Sequence, residues 1–259
     1  MKARIFFTAL FLLAMSVRCG AFSPSAKDIF REACGFYEKG DYKAAIEKYN
    51  RVLEMGYESG ELYYNLGNSY FKDGRPGMAV LSYKRAGNFI PRDSDLESNY
   101  RYVASGLNRS GAPGVKILPI RIFNNLTRYF TVNEFAVFLA LLFFIFMAAV
   151  LSHLYFNRIK AYFAAALGVI VILFFLTASL AASKIIVTRR EAVVVVKEAD
   201  SKFEPFERAT THFKLYEGST VSVLDSKPPW LKVRRPDGKV GWVKSSALKR
   251  VKQQKENAL

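Results

Sequence analysis

The sequence predicts a multidomain chain with an all-α repeat domain, a transmembrane α-helical hairpin and a small all-β barrel. Three observations support this prediction. Residues 26–59 and 60–93 are similar at a spacing of 34 residues, two long central runs contain no charged residue, and residues 190–251 consist of short β-branched stretches separated by turn signals. Because apolar and charged residues are segregated along the chain, a single soluble core does not account for the composition.

The repeat is defined by residues that recur at equivalent positions. The pairs at a spacing of 34 are Ala33 and Gly67, Phe36 and Tyr70, Gly40 and Gly74, Ala45 and Ala79, and Tyr49 and Tyr83. Small residues allow the two helices of a unit to approach, and aromatic residues fill the space between units. This pattern resembles the tetratricopeptide repeat. We expect the repeat domain to span residues 22–108, with residues 94–108 forming a helix that caps the last apolar face.

The resemblance implies that the repeats bind a peptide or a partner protein in a groove lined by the first helix of each unit. The predicted groove residues are Tyr37, Tyr64, Asn65, Asn68, Phe71 and Lys72. Phe30 and Cys34 stand where the best-known groove type has a lysine and an asparagine that clamp a carboxylate, so we expect no such clamp. The alternative is that several of these aromatic residues pack against the capping helix or the membrane surface.

Two apolar runs predict the membrane hairpin. Residues 135–154 and 161–182 comprise 20 and 22 residues without Asp, Glu, Lys or Arg. Each is about long enough to cross a hydrocarbon layer of ~30 Å as a helix. The connection at 155–160 is short, which predicts two antiparallel helices. Residues 109–134 are predicted to be a linker followed by an amphipathic helix at the membrane surface.

The N-terminus predicts export of the chain. Lys2 and Arg4 precede an apolar stretch that is too short to span a bilayer, and small residues permit cleavage after Ala21, so residues 1–21 resemble a signal peptide. Lipidation at Cys19 and an uncleaved anchor are the alternatives. The signal peptide places both soluble domains outside the cytoplasmic membrane and the loop 155–160 inside. We therefore expect a two-pass protein of the bacterial inner membrane.

The C-terminal segment has the order of motifs of a small barrel. A Glu-Gly turn at Glu217, a Trp-x-x-Val strand from Trp230, an Asp-Gly hairpin at Asp237 and a Gly-Trp-Val strand around Trp242 follow one another. This order resembles bacterial SH3-like domains, which implies binding of peptides or cell-wall material. The candidate ligand-binding residues are Tyr216, Trp230, Trp242 and Arg234, with Arg235 and Lys244 nearby. Tyr216, Trp230 and Trp242 are predicted to form an aromatic platform, and the alternative for Trp242 is a place in the core. Trp230, next to two prolines, is expected on a loop.

Charge and motif content limit the classes of function. The formal net charge is +16, and residues 184–259 contribute +8 of it, from 17 basic and nine acidic residues. An anionic membrane surface explains this basicity better than nucleic acid, because the basic domain is predicted to be exported. We find no glycine-rich phosphate loop, His-Glu-x-x-His, Cys-x-x-Cys or nucleophile elbow. The sequence therefore predicts no enzyme, no cofactor and no metal site.

The order of signal peptide, tetratricopeptide repeats, two membrane helices and SH3-like domain resembles the E-type membrane proteins of the Bat aerotolerance operons. The resemblance implies an accessory role in envelope stress, alongside membrane proteins with von Willebrand A domains. Two alternatives remain, namely a tether that binds peptidoglycan and a transporter or channel subunit. The absence of charged residues within the two apolar runs argues against the second. We also expect the two soluble domains to bind independently, so that deleting residues 190–259 would leave capture by the repeats intact.

Overall fold

The computed structural model describes residues 24–107, 126–127, 129–155 and 160–252. The chain divides into two compact units at Glu58 and Ser59. The predicted signal peptide with Cys19, most of the predicted linker and surface helix at 109–134, and residues 156–159 of the predicted loop lie outside the described residues.

The first unit contains a pair of helices, α1 (Pro24–Glu38) and α2 (Tyr42–Glu54). Gly40 has a φ of +80° between them, a conformation that costs glycine little. Asp41 then caps α2 by accepting a hydrogen bond from the backbone N–H of Ala44 at 3.1 Å. The helices pack through Ala33 and Ala45, which are completely buried. These small residues allow the close approach that the repeat pattern predicts.

The second unit begins with the equivalent pair, α3 (Gly60–Lys72) and α4 (Pro76–Ala86), and a further helix, α5 (Ser94–Ser105). Gly67 packs directly under the ring of Tyr83, and a Cβ at residue 67 would meet that ring at 2.5 Å. Helix α4 is buried along almost its whole length, which is unusual for the outer helix of a repeat. A second surface must therefore cover the side of α4 that faces away from α3.

Two apolar helices follow, α6 (Val132–Tyr155) and α7 (Lys160–Arg190), joined by four residues and packed against each other as an antiparallel hairpin. Both are long and apolar enough to cross a membrane, and only 6% of the most apolar window of each is buried in the protein. Their apolar side chains thus point outward, as membrane helices require. Helix α7 continues past the predicted end of its apolar run at Ala182, because no glycine or proline interrupts residues 183–190.

The C-terminal domain is a seven-stranded antiparallel sheet that starts at the residue after α7. Its strands lie in the spatial order β3-β2-β6-β5-β4-β1-β7. The strands are β1 (Glu191–Val194), β2 (Glu198–Lys202), β3 (Thr211–Tyr216), β4 (Thr220–Lys227), β5 (Trp230–Arg234), β6 (Val240–Lys244) and β7 (Leu248–Arg250). Leu215 of β3 and Leu248 of β7, from the two edges of the sheet, share one core cluster. The sheet therefore curls into a barrel, and the multidomain fold class predicted from the sequence is confirmed.

Candidate interaction sites

The predicted groove of the repeats divides between the two units. In the first unit, Tyr37 packs edge-on against Tyr42 with ring centroids 5.5 Å apart. Cys34 lies nearby on the same helix, where its Sγ accepts a 3.3 Å hydrogen bond from the hydroxyl of Tyr49. Both side chains hold α1 against α2.

In the second unit, two of the predicted groove residues belong to an internal hydrogen-bond network. Oδ1 of Asn68 accepts hydrogen bonds from the hydroxyl of Tyr83 at 2.7 Å and from Nδ2 of Asn99 at 3.1 Å. Nδ2 of Asn99 also lies 2.8 Å from the hydroxyl oxygen of Tyr64. The network ties α3 to α4 and α5. Tyr64 and Asn68 thus stabilise the packing of these helices, independently of any contact with a partner.

The remaining groove residues of the second unit form a more open surface. Phe71 packs edge-on against Tyr102 of α5 with centroids 5.7 Å apart, and Tyr102 is 69% exposed. Asn65 is half-buried and Lys72 is exposed. An aromatic pair flanked by an amide and an ammonium group suits an extended peptide, since it offers an apolar contact, a backbone hydrogen bond and a charge.

Tyr102 and Asn99 were missed by the prediction, although a signal for both is present. Asn99 follows Asn65 by 34 residues, and Tyr102 follows Asn68 by the same interval. Helix α5 is therefore equivalent in position to the first helix of a third repeat. Extending the period by one helix would have placed both residues on the groove side.

On the barrel, the two tryptophans lie on the face opposite the core. Leu231, Val233 and Val243 point into the core cluster, and side chains alternate along a strand, so Trp230 and Trp242 point outward. Both rings are nevertheless buried, with 5% and 7% of the residue exposed. The expectation that Trp230 lies on a loop is wrong, because it is the first residue of β5 and pairs with Lys227 and Lys244. Trp242 is buried, as expected of a core residue, although it does not belong to the cluster that fills the barrel.

Lysine side chains cover the two rings. Nζ of Lys227 and of Lys232 lie 5.6 and 5.8 Å from the centroid of the Trp242 ring, and Nζ of Lys202 lies 5.7 Å from that of Trp230. Such distances are those of cation–π contacts. We call the surface formed by Trp230, Trp242, Lys202, Lys227 and Lys232 the tryptophan–lysine face. It offers positive charge held over two buried indole rings, which suits an anionic ligand.

A further lysine at this face is occupied. Lys244 forms a 2.7 Å ion pair with Glu207, and the hydrogen bond from Lys244 lowers the pKa of Glu207. Arg234 is exposed at the other end of β5, opposite Val240. Arg235 forms an ion pair with Asp237 in the hairpin turn and lies over the Phe213 ring at 4.9 Å, so it stabilises the turn.

Tyr216 does not join the tryptophans. It pairs with Glu198 at one end of β2, whereas Trp242 pairs with Lys202 at the other end. Four residues of strand separate these positions, or roughly 13 Å at ~3.3 Å per residue. The predicted three-residue aromatic platform is therefore wrong, because the register of β2 and β3 separates its members.

The repeats and the barrel share an interface within the second unit, and it covers the outer side of α4. Nζ of Lys84 forms a 2.8 Å ion pair with Glu191 of β1. The guanidinium of Arg85 donates hydrogen bonds of 3.0 Å to the carbonyl oxygens of Val251 and Arg250 at the end of β7. We call this contact the repeat–barrel interface.

A glutamate of the barrel caps helix α4. Arg75, at the N-cap position, makes no side-chain capping bond. Instead Oε1 of Glu217 accepts a 2.8 Å hydrogen bond from the backbone N–H of Gly77. Gly218 continues this contact with a φ of +74°, and a Cβ there would meet Leu107 at 2.4 Å. The second repeat and the barrel thus each cover part of the other's surface, and independent binding by the two domains stays a prediction.

Comparison with known families agrees with this architecture. Residues 36–74 match the family described as TPR repeat, and residues 209–249 match the family described as bacterial SH3 domain. A search of curated proteins found no match. Both matched families are non-catalytic interaction modules, one for proteins and one for the cell wall. The chain thus combines the modules of an adaptor with two apolar helices suited to membrane association.

Proposed function

We propose that this protein is a membrane-anchored adaptor of the bacterial envelope and an accessory part of a Bat-type aerotolerance or stress complex. The repeats would bind a protein partner, for which membrane proteins with von Willebrand A domains are the expected class. The observation that best supports this proposal is the repeat–barrel interface. It fixes two interaction modules to each other at one end of the membrane hairpin, an arrangement suited to assembling partners at a membrane surface.

The proposal includes a topology. With residues 1–21 acting as a signal peptide, both soluble domains lie outside the inner membrane and the hairpin connection lies in the cytoplasm. Labelling with a membrane-impermeant maleimide tests this in whole cells. After replacement of Cys34 by serine, Lys252→Cys should be labelled in spheroplasts and Asn157→Cys only after lysis. The reverse pattern would contradict the topology.

The partner is tested by crosslinking in intact cells, followed by purification of the full chain in detergent and identification of what is attached. We expect von Willebrand A proteins to be recovered, and Lys72→Ala to reduce their yield. Lys72 is preferable to Asn68 as a probe because Asn68 belongs to the internal network. Lys43→Ala, an exposed lysine on α2, is the matched control. Equal recovery of partner from both variants would exclude the groove as the binding site of that partner.

The tryptophan–lysine face supports an alternative, a tether that binds peptidoglycan. The carboxylates of the peptide stems suit the lysine ammonium groups of this face. The experiment is co-sedimentation of the purified full-length protein with isolated cell-wall sacculi. Loss of binding in Lys232→Gln, but not in Lys249→Gln on β7, would favour the tether. Binding of both variants at the wild-type level would remove this face from consideration.

A further inference from the structure

A cavity of about 650 Å³ lies where the second repeat, the segment before α6 and the last turns of α7 meet. It is separate from the groove and from the tryptophan–lysine face. Its charged and aromatic lining comes from several elements and includes Lys84, Glu97, Tyr100, Tyr129, Lys184 and Glu191. The volume is within the range of ~300–1,000 Å³ that is typical of small-molecule sites.

The cavity lies at the boundary of the apolar part of the hairpin. Tyr129 lines it three residues before α6 begins at Val132. Because α7 runs antiparallel to α6, its last turns lie at the same end, and Lys184 lines the cavity two residues after the apolar run ends at Ala182. In a bilayer this is the level of the lipid head groups.

The cavity wall contains a buried lysine, Lys184, whose side chain is held in place by hydrogen bonds. Lys184 is only 7% exposed, and its Nζ donates hydrogen bonds to the carbonyl oxygens of Thr127, at 3.0 Å, and Phe130. These bonds join α7 to the segment before α6. The ammonium group is thereby fixed at the junction of the two segments, where water is scarce and its charge acts strongly.

The lining carries both signs of charge. Lys84 and Glu191 form an ion pair within it. Two further carboxylates come from Asp93, which caps α5, and from Glu97, which also pairs with the exposed Arg101 at 2.6 Å. Lys84 also lies 5.5 Å from the centroid of the Tyr100 ring, which shows that this ring accepts a cation on its face. A purely anionic ligand would meet the three carboxylates, whereas a zwitterionic ligand can satisfy both signs of charge.

The side chains at this level are apolar where they meet the surroundings. Tyr129 is 56% exposed and Val187, which also lines the cavity, is 60% exposed. An apolar rim around a charged interior is unfavourable in water, but it suits a molecule that has a polar head and an apolar tail.

We propose that this cavity binds the head group of an amino-phospholipid, with the phosphate towards Lys184 and Lys84 and the ammonium towards Glu97. The acyl chains would leave over Tyr129 and Val187 and lie along the hairpin. This inference requires the hairpin to lie in a bilayer, but it does not depend on the identity of any protein partner.

The test uses the purified full-length protein and the lipids that it retains. The protein is exchanged into detergent containing equal amounts of phosphatidylethanolamine, phosphatidylcholine and phosphatidylglycerol, and bound lipid is identified by native mass spectrometry. We expect selective retention of phosphatidylethanolamine with a stoichiometry of one. Equal retention of the three lipids, or preference for phosphatidylglycerol, would overturn the proposal. A parallel titration with soluble phosphoethanolamine distinguishes a lipid site from a site for the free head group, since only the second would be filled by it.

A matched pair of variants assigns the binding to the cavity. Glu97→Gln should weaken phosphatidylethanolamine retention about tenfold, as expected for the loss of one charge-assisted hydrogen bond. Glu61→Gln, in the first turn of α3, should leave it unchanged. Lys184 is avoided in this comparison because its bonds to Thr127 and Phe130 also hold the segments together.

If Glu97→Gln and Glu61→Gln retained phosphatidylethanolamine equally, the assignment of lipid binding to this cavity would be wrong. Flotation of both variants with liposomes reports membrane insertion separately. Failure of the lipid site is therefore distinguishable from failure of the membrane topology.

Discussion

Gly77 and Glu217 are 140 residues apart in sequence, and the backbone N–H of the first donates a 2.8 Å hydrogen bond to the carboxylate of the second. Gly77 lies in the first turn of α4, where backbone N–H groups lack partners within the helix. A carboxylate at that position also interacts favourably with the positive end of the helix dipole. The barrel thus completes the repeat.

Removing this cap should destabilise the repeat–barrel interface. We expect Glu217→Ala to lower the free energy of unfolding by ~0.5–2 kcal/mol, the usual effect of losing a helix cap. Glu204→Ala, an exposed glutamate on the loop after β2, is the control. Chemical denaturation of the full chain in detergent, followed by far-ultraviolet circular dichroism, measures the change. An equal midpoint for both variants would show that the bond contributes nothing.

Gly77→Ala should be more harmful than its size suggests. An added Cβ would meet Cγ of Glu217 at 2.6 Å and the carbonyl oxygen of Val194 at 3.0 Å, so the two domains would have to separate. We expect a loss of ~1–3 kcal/mol, as for overpacking.

Gly35→Ala provides the matched comparison. It lies in α1 with no atom within 4 Å of the added methyl group, so it should stabilise the protein by ~0.5–1 kcal/mol through helix propensity. The same denaturation experiment serves for both glycine variants. A stabilising Gly77→Ala would show that the domains do not touch there.

The Lys84–Glu191 pair should contribute more than an exposed pair of the same length. Its side chains are 19% and 26% exposed, whereas Lys48 and Glu32 in the first unit, also 2.8 Å apart, are 38% and 48% exposed. Double-mutant cycles should give a coupling energy of ~1 kcal/mol for the first pair and less for the second. Equal coupling energies would indicate that burial at the interface does not strengthen the pair.

The barrel should lose a pH-dependent contribution when Arg235 is replaced. The hydrogen bond from Arg235 lowers the pKa of Asp237 to about 2, against an unfolded value of ~3.9. A carboxyl with a depressed folded pKa stabilises the protein above the unfolded pKa, and this stabilisation disappears as the pH falls towards 2. Wild type and Arg235→Gln should therefore differ in stability at pH 6 and converge by about pH 2.

Tryptophan emission is the measurement for this prediction, because the two tryptophans of the chain both lie in the barrel. Arg234→Gln changes the neighbouring exposed arginine and should show no such convergence. A constant difference between wild type and Arg235→Gln across this pH range would mean that the ion pair with Asp237 is not the source of the effect.

Sequence signals within a few residues of each other predict many of the turns in this fold. Gly74, Gly218 and Gly238 all have a positive φ at turns that the sequence predicts, because the signal for a turn lies within a few residues. A further local signal went unused. Thr131 and Glu134 form a capping box at the start of α6, in which the hydroxyl of Thr131 accepts from the N–H of Glu134 and the carboxylate accepts in return.

Contacts between distant segments were not predictable in this way. Glu217 is recognisable as part of a turn, but nothing in its neighbourhood indicates that α4 needs a cap. The prediction that Trp230 lies on a loop was wrong for a related reason. Pro228 and Pro229 suggest a loop, yet strand pairing with Lys227 and Lys244 continues up to the tryptophan. Strand register also separated Tyr216 from Trp242, and register depends on pairing partners rather than on composition.

Helix α7 ends at Arg190 and β1 starts at Glu191, so no linker separates this apolar helix from the barrel. A change in the direction of the helix axis is therefore transmitted directly to β1. Apolar helices change their tilt to match the thickness of the surrounding bilayer. In the proposed topology, a change in the tilt of α7 would rotate the barrel. The second repeat would move together with the barrel because the repeat–barrel interface joins them. In the proposed topology, the orientation of the barrel and the second repeat therefore depends on the thickness of the bilayer.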